Sequence, residues 1–397
     1  MDFVMLANDW QSGVDNPTSK HRIAVELARQ GHRVLWLEGA GLRRPALRGT
    51  NGGADRSRIV RKLKRACSGV HTQQPGIWSL GPFALPFPHS EWSYRFNNAF
   101  FRLAALRACR RLHFQQPVLV NYVPTFDRLM LAWPGNVIYH CVDRWDAFDA
   151  YDSQLMSRRN AACCRHADLV LATSQDLVNR CRENMSSRVE LLSHGVDHAH
   201  FRGALQAGQR PPDLPPSPIA GFFGLLSSWV DQDLLIRLAD SLPEPAAVVL
   251  IGKADTDVSR LERHPRIHLL GPRPFTDLPR YIAHFAVGLI PFQINELTVA
   301  VNPIKLREML AAGCPVVSTA LPEVALYDHV ADVCASPDDF VAAAIRYCHC
   351  PMTASARATL SNAVSSETWE AKVRDLVAHA TCLIKRTATD TAVYAPL

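Results

Sequence analysis

Short, unbroken apolar runs recur along the chain, separated by stretches in which apolar residues return at helical spacing. The first run is Phe3-Val4-Met5-Leu6-Ala7 and the second Val34-Leu35-Trp36-Leu37. Between them the spacing predicts a helix from about Ser19 to Gln30, stopped by Gly31. Runs with no polar alternate suit strands covered on both faces, as in parallel sheets. The opening is therefore a βαβ unit, the start of a Rossmann-like domain. Residues 118–120, 137–139, 167–174 and 189–192 continue the series, with a helix predicted over 91–112. In the second half, strands at 219–223, 248–251, 267–270, 287–290 and 316–319 alternate with helices at 230–240, at 276–284 and from Pro303 onward. That alternation predicts a second doubly wound sheet.

The fold class is thus α/β, with two Rossmann-like domains over 1–202 and 218–365. Gly203, Gly208, Pro211, Pro212, Pro215 and Pro216 give residues 203–217 the composition of a linker. A length of 397 residues agrees with two cores rather than one. With 48% apolar and 20% charged residues the chain is globular, not disordered. No 18-residue apolar run predicts a membrane span, and the first residues lack the basic and cleavage features of a signal peptide. The eleven cysteines then read as reduced thiols of a cytoplasmic protein. Cys163-Cys164 and Cys348-His349-Cys350 lack the paired spacing of a zinc site, so no metal is expected.

The net charge of +6 is unevenly spread. From Arg43 to Arg65 basic residues gather against a single acid, Asp55, as on a loop carrying a cationic patch. The helix expected over 91–112 mixes Trp92, Phe96 and Phe100 with Arg95, Arg102, Arg107, Arg110 and Arg111. Together these fit docking on an anionic membrane surface, or equally a core helix with a solvated face. No nucleic-acid-binding module is present.

The most informative stretch runs from Asn302 to Thr319. Pro303 at the first helical position, Gly313 at the end and Pro315 beyond it frame one helix, which feeds strand 316–319. Lys305 and Glu308 lie three apart on one face of that helix. A helix N-terminus with a lysine in its first turn favours anions, and an ionised glutamate one turn on suits a sugar diol. A phosphate beside a diol is what a nucleotide offers, although the same spacing also fits an ordinary surface ion pair. In the first half, Asp143 follows the strand at 137–139, where ligand groups of parallel sheets collect. It is a candidate general base or a helix N-cap, with Asp146 and Asp149 the other acids of that segment. The dinucleotide fingerprint GxGxxG is absent.

The stretch Asn302–Thr319 resembles the donor-binding segment of GT-B glycosyltransferases, above all the bacterial polysaccharide enzymes of the glycosyltransferase-4-like and teichuronic-acid type. His194-Gly195-Val196-Asp197 with Phe201 is similar to the family's domain-junction signature, and Gly221-Phe222-Phe223-Gly224 with Trp229 and Asp231 to the opening of its second domain. Gly271-Pro272-Arg273, Leu278-Pro279, Ile290-Pro291-Phe292 and Thr368-Trp369-Glu370 are in family register. The resemblance implies a GT-B fold, two lobes facing across a cleft, with a closing helix (366–385) returning to the first lobe. It implies a nucleotide diphosphate sugar, a UDP-sugar foremost, as co-substrate without other cofactor. Donor-side residues would be Gly224, Lys253, Arg273, Asn302, Pro303, Ile304, Lys305 and Glu308. Asp9, Trp10, Lys20 and His21 would lie on the acceptor side, with a saccharide or lipid-linked acceptor. Asp143 matches the catalytic aspartate of the xanthan-type glucuronosyltransferase, which implies inversion. Two departures stand out: Leu225, Leu226, Ser227 and Ser228 occupy the place of a family basic residue, and position 300 is Ala rather than the first of two glutamates. The second departure weakens the retaining chemistry usual for that branch, although retention stays open. A nucleotide-sugar epimerase of the same architecture and a non-catalytic nucleotide-sugar binder are the alternatives.

Overall fold

A computed structural model describes residues 1–13, 17–39, 69–85, 90–149, 151–184, 188–206 and 208–393. The cationic stretch from Arg43 to Arg65 lies outside the described residues. Contacts divide the chain into two units, Met1–Ser193 with Lys372–Leu397, and His194–Ala371.

The first unit is built on an eight-stranded sheet ordered β3-β4-β2-β1-β5-β6-β7-β8. Its strands are β1 (Asp2–Ala7), β2 (Arg33–Glu38), β3 (His71–Gln74), β4 (Ile77–Leu80), β5 (Val118–Asn121), β6 (Val137–Cys141), β7 (Leu169–Ala172) and β8 (Val189–Leu191). All pair in parallel except β3 with β4, a hairpin absent from the sequence-based expectation. His71-Thr72-Gln73-Gln74 carries no apolar residue and sits at the sheet edge, so hydrophobic patterning has nothing to detect there. Elsewhere the apolar runs become strands because helices cover both faces. β1, for example, is buried throughout.

The second unit carries a six-stranded, all-parallel sheet ordered β11-β10-β9-β12-β13-β14. These strands are β9 (Ile219–Phe223), β10 (Ala247–Ile251), β11 (Ile267–Gly271), β12 (Val287–Ile290), β13 (Val316–Thr319) and β14 (Asp332–Cys334). Counted from β9 the order is 3-2-1-4-5-6, the dinucleotide-binding arrangement, whose direction reverses between β9 and β12.

Two expectations are corrected. Residues 203–217 are not a free linker. Gly203–Gln206 forms a 3-10 turn, Ala204 and Leu214 are buried in the second unit's core, and Asp213 is tied to Arg273. Proline and glycine here specify turns packed onto a core, and the unit begins earlier, at His194. Pro303 is not inside its helix: with φ −72° and ψ 111° it precedes the helical span Ile304–Ala311 as its cap residue. Gly313, at φ 66°, ends that helix as expected, its amide donating to Leu310 at 2.8 Å and the Cys314 amide to Met309 at 2.9 Å. The final helix, Trp369–Val393, leaves the second unit and from Lys372 belongs to the first, where Lys372 donates to Ser193 at 2.9 Å.

Candidate functional site

In open parallel sheets the ligand crevice lies beyond the carboxyl ends of the strands where the order reverses. In the second unit this is the β9/β12 edge, and the loops there are laced together by backbone bonds. Gly224 N–H donates to Ile251 at 2.8 Å and Gly252 N–H to Gly271 at 3.0 Å, linking the loops after β9, β10 and β11. Asp231 donates to Pro291 and Gln293 to Trp229, both at 2.8 Å, linking the loops after β9 and β12. The fit is close enough to require glycine: a Cβ on Gly252 would lie 1.7 Å from the Gly224 carbonyl oxygen.

Helix Ile304–Ala311 starts beside this edge. Lys305 runs past Gly224, whose Cβ, if present, would lie 3.6 Å from Lys305 Cε. Its Nζ stands 4.6 Å from the centroid of the Phe223 ring and 2.8 Å from Glu308 Oε2. Glu308 is buried at 6% exposure, so this is not the solvated surface pair that spacing alone allows. The first amides of a helix have no intrahelical acceptor. Those of Ile304 and Lys305 therefore add positive potential next to the ammonium group. One cation, a helix N-terminus and a half-engaged carboxylate are thus held in one place by a rigid edge.

Other residues singled out from the sequence are used differently. Both polar ends of the Asn302 side chain are spent in a buried network: its amide donates to Glu323 at 2.5 Å and its carbonyl accepts from Arg307 at 2.8 Å. Arg307 also donates to Glu367 at 2.6 Å, as does the Tyr327 hydroxyl. This network fixes the start of the helix rather than presenting groups to a ligand. Arg273 is engaged by Asp213 at 2.6 Å, the Tyr281 hydroxyl at 2.9 Å and the Pro272 carbonyl at 3.0 Å, so its charge is already answered. Lys253 is exposed, and its carbonyl accepts from Leu226 at 2.9 Å. Ala300 is buried at 1% exposure, with no carboxylate in the place of the family's first glutamate.

In the first unit the order reverses between β1 and β5, and a second constellation gathers at that edge. Asp143 lies two residues past β6, and loss of solvent raises its pKa while the nearby Lys20 ammonium pulls it down. Lys20 in turn is lowered by burial and raised by Asp143. Its Nζ lies 5.8 Å from the Tyr122 ring centroid and 5.7 Å from that of Trp145. The Tyr122 hydroxyl and the Trp145 indole N–H are buried without a hydrogen-bond partner among the described residues. Buried polar groups are normally satisfied, so these can serve a bound polar molecule. His140, packed 5.0 Å from Tyr122, is pushed down to about 3 by burial and by the Lys20 charge, so it is neutral. Sequence reasoning named Lys20 and Asp143 but missed Tyr122 and Trp145. Their only signal was position, one residue after β5 and one turn after β6.

Trp10 and His21 do not join this group. His21 is 3% exposed, lies 4.6 Å from Trp36 and 5.3 Å from Trp10, and uses both ring nitrogens. Nε2–H donates to the Trp10 carbonyl at 3.1 Å, leaving Nδ1 to accept from the Thr18 hydroxyl at 2.7 Å. Burial lowers its pKa to about 4. Asp9 is half-buried and accepts from the Gln11 amide at 3.0 Å. The aromatic cluster shapes the loop after β1 from behind, which is a packing role.

With this geometry described, similarity to known proteins can be placed on it. Residues 217–349 match the family described as Glycosyl transferases group 1, a span that holds the whole β9/β12 constellation. TuaH of Bacillus subtilis (strain 168), named as a teichuronic acid biosynthesis glycosyltransferase, is 26% identical over 236 residues, 54% of this chain and 58% of that protein. Among solved structures, HepE of Anabaena in complex with UDP and glucose superposes with a TM-score of 0.65 at 14% identity, covering 96% of this chain and 100% of that one. A trehalose-6-phosphate structure from E. coli bound with UDP-2-fluoro glucose gives 0.64 at 12% identity, over 96% and 98% of the two chains. Fold, family match and relative point the same way: the chain has the fold of the GT-B glycosyltransferases HepE and OtsA, and residues 217–349 of its second unit are similar to the group 1 glycosyltransferases.

Proposed function

We propose that this protein transfers a sugar from a nucleotide diphosphate sugar, a UDP-sugar, to an acceptor hydroxyl. The observation that carries the reading is the buried Glu308 paired with Lys305 in the first turn of Ile304–Ala311, beside the β9/β12 reversal. In this reading Lys305 and the helix amides receive the diphosphate, and Glu308 accepts hydrogen bonds from the ribose hydroxyls through the oxygen outside its ion pair. As the glycosidic bond breaks, negative charge grows on the leaving diphosphate, and preorganised positive groups lower that barrier. Because the chain itself supplies this charge, the reading calls for no bound metal. UDP in the HepE complex supports the choice of base.

Asp143 takes the proton of the acceptor hydroxyl as that oxygen attacks the anomeric carbon, a displacement that inverts the stereocentre. Desolvation suits it to the task, since a carboxylate with a raised pKa is a stronger base. The polar acceptor is completed by Lys20, the Tyr122 hydroxyl and the Trp145 N–H. The name of TuaH supports a saccharide of bacterial cell-surface polysaccharide synthesis, with a lipid-linked form as the finer proposal. The test separates the two halves. Asp143→Asn retains thermal stabilisation by UDP and loses transfer; full turnover in that variant would remove Asp143 from the role of base.

A further inference from the structure

The first turns of the helix Glu91–Arg111 in the first unit depart from the usual rule, burying polar side chains and exposing aromatic ones. Its buried face presents Ser93, Tyr94, Asn97 and Asn98 along with Phe101, Ala105, Ala108 and Cys109. The polar members are held by specific bonds. Tyr94 donates to Asp127 at 2.5 Å, the Asn98 amide donates to the Thr125 carbonyl at 3.0 Å, and the Asn97 amide donates to the Leu85 carbonyl at 3.1 Å. The outward face carries a seam of large apolar side chains beside Glu91, Arg95 and Arg102. Trp92 is 68% exposed, Phe96 36% and Leu103 44%, at positions i, i+4 and i+11 of one seam. Trp92 and Phe96 stack at 5.9 Å and Phe96 and Phe100 at 5.6 Å, which makes a continuous aromatic ridge. Exposed apolar surface of this extent marks an interaction face.

Charge indicates which partner. Arg95 is paired with Glu91 at 2.9 Å, and Arg102 donates to the Ala132 carbonyl at 2.6 Å, so both serve the fold. Arg107, Arg110 and Arg111 continue the same solvent side beyond Leu103, are exposed, and have no ion-pair partner among the described residues. An apolar aromatic ridge that runs into uncompensated arginines matches the boundary of an anionic bilayer, where aromatic rings sit among headgroups and guanidinium groups meet phosphate. No helix among the described residues is long and apolar enough to cross a membrane. We infer that the solvent face of Glu91–Arg111 docks on an anionic lipid bilayer, with Trp92, Phe96 and Leu103 inserted at headgroup depth and Arg107, Arg110 and Arg111 on lipid phosphates.

The test is co-sedimentation of the full chain, without nucleotide, with vesicles of phosphatidylcholine alone and of phosphatidylcholine containing about one third phosphatidylglycerol. The protein is expected to pellet with the anionic vesicles and to be released by added salt. Each arginine near the surface contributes about fivefold, so Arg107→Gln/Arg110→Gln/Arg111→Gln should bind the anionic vesicles about a hundredfold more weakly. Trp92→Ser/Phe96→Ser should lose binding while keeping the wild-type unfolding midpoint, since both side chains face solvent. If the double variant does not fold, the arginine variant decides. Failure of the wild type to pellet at low salt, or pelleting unchanged in the variants, overturns the inference. So does a lipid-free dimer that Trp92→Ser/Phe96→Ser converts to monomer, because the ridge would then join two copies of this chain. Stabilisation by UDP should be the same in all of these proteins, so a failure here leaves the donor site standing.

Discussion

The strand-end edges of the two units treat their ionisable groups in opposite ways. In the second unit charges are paired at contact distance: Lys305 with Glu308, Arg307 with Glu367, Arg273 with Asp213. In the first unit, at the corresponding edge, the groups are stripped of solvent with less direct compensation. Lys20 and His140 are pushed down and Asp143 is pushed up, with burial the largest cause in each case. The difference is chemical. A site that holds an anion needs fixed charge of constant sign, which pairing preserves. A site that moves a proton needs groups whose charge can change near working pH, which desolvation provides.

The contrast can be tested most severely at Asp143. Asp143→Asn should lower kcat by about a hundredfold to ten-thousandfold, the usual scale for a lost general base, and leave UDP binding unchanged. In the second unit, the end of the helix Ile304–Ala311 is the sensitive point. A Cβ on Gly313 would lie 2.5 Å from Leu205 Cδ2 and 2.7 Å from the Arg357 carbonyl oxygen, at φ 66°. The leucine end can shift but the backbone oxygen cannot, so Gly313→Ala should cost about 1–3 kcal/mol in denaturant unfolding.

Acid should separate the units next. His21 has a folded pKa of about 4, below its ordinary 6.5, so its contribution is present above pH 6.5 and is lost as pH falls toward 4. Between pH 7 and pH 5 that loss amounts to about 2 kcal/mol. His21→Gln, which cannot titrate, should show a correspondingly shallower pH dependence than the wild type over that interval. The smallest effect concerns Lys20, whose charge holds the Asp143 pKa down. Lys20→Met should move the acid limb of the kcat profile to higher pH, where a purely structural role would lower kcat at every pH alike.

The units also differ in how far the sequence discloses them. Most strands of both sheets are legible as short apolar runs, β3, β4 and β14 excepted, and the helix Ile304–Ala311 is legible from Pro303, Gly313 and the Lys305–Glu308 spacing. What could not be read is the use to which a polar side chain is put when its partner is far away in sequence. Arg273 looked available until Asp213, sixty positions earlier, was seen to hold it. Asn302 looked like a donor-side group, yet Glu323 and Arg307 take both of its polar ends. His21 looked like an acceptor-side group, but Trp10 and Thr18 engage its two nitrogens. Tyr122 and Trp145 went unnoticed because an aromatic residue after a strand is the pattern of a core. The β3–β4 hairpin was missed for the opposite reason, since β3 has no apolar pattern at all.

The central claim is that a nucleoside diphosphate rests on the first turn of Ile304–Ala311, with its charge answered by Lys305. Thermal unfolding with and without UDP, in the wild type and in Lys305→Ala, tests it directly. At a hundred times the dissociation constant a ligand adds about 2.7 kcal/mol, and loss of a charged hydrogen bond to the diphosphate removes about 1.5–3 kcal/mol of binding. The account predicts a clear UDP-dependent rise in the wild type that nearly vanishes in Lys305→Ala. An equal rise in both proteins would contradict it.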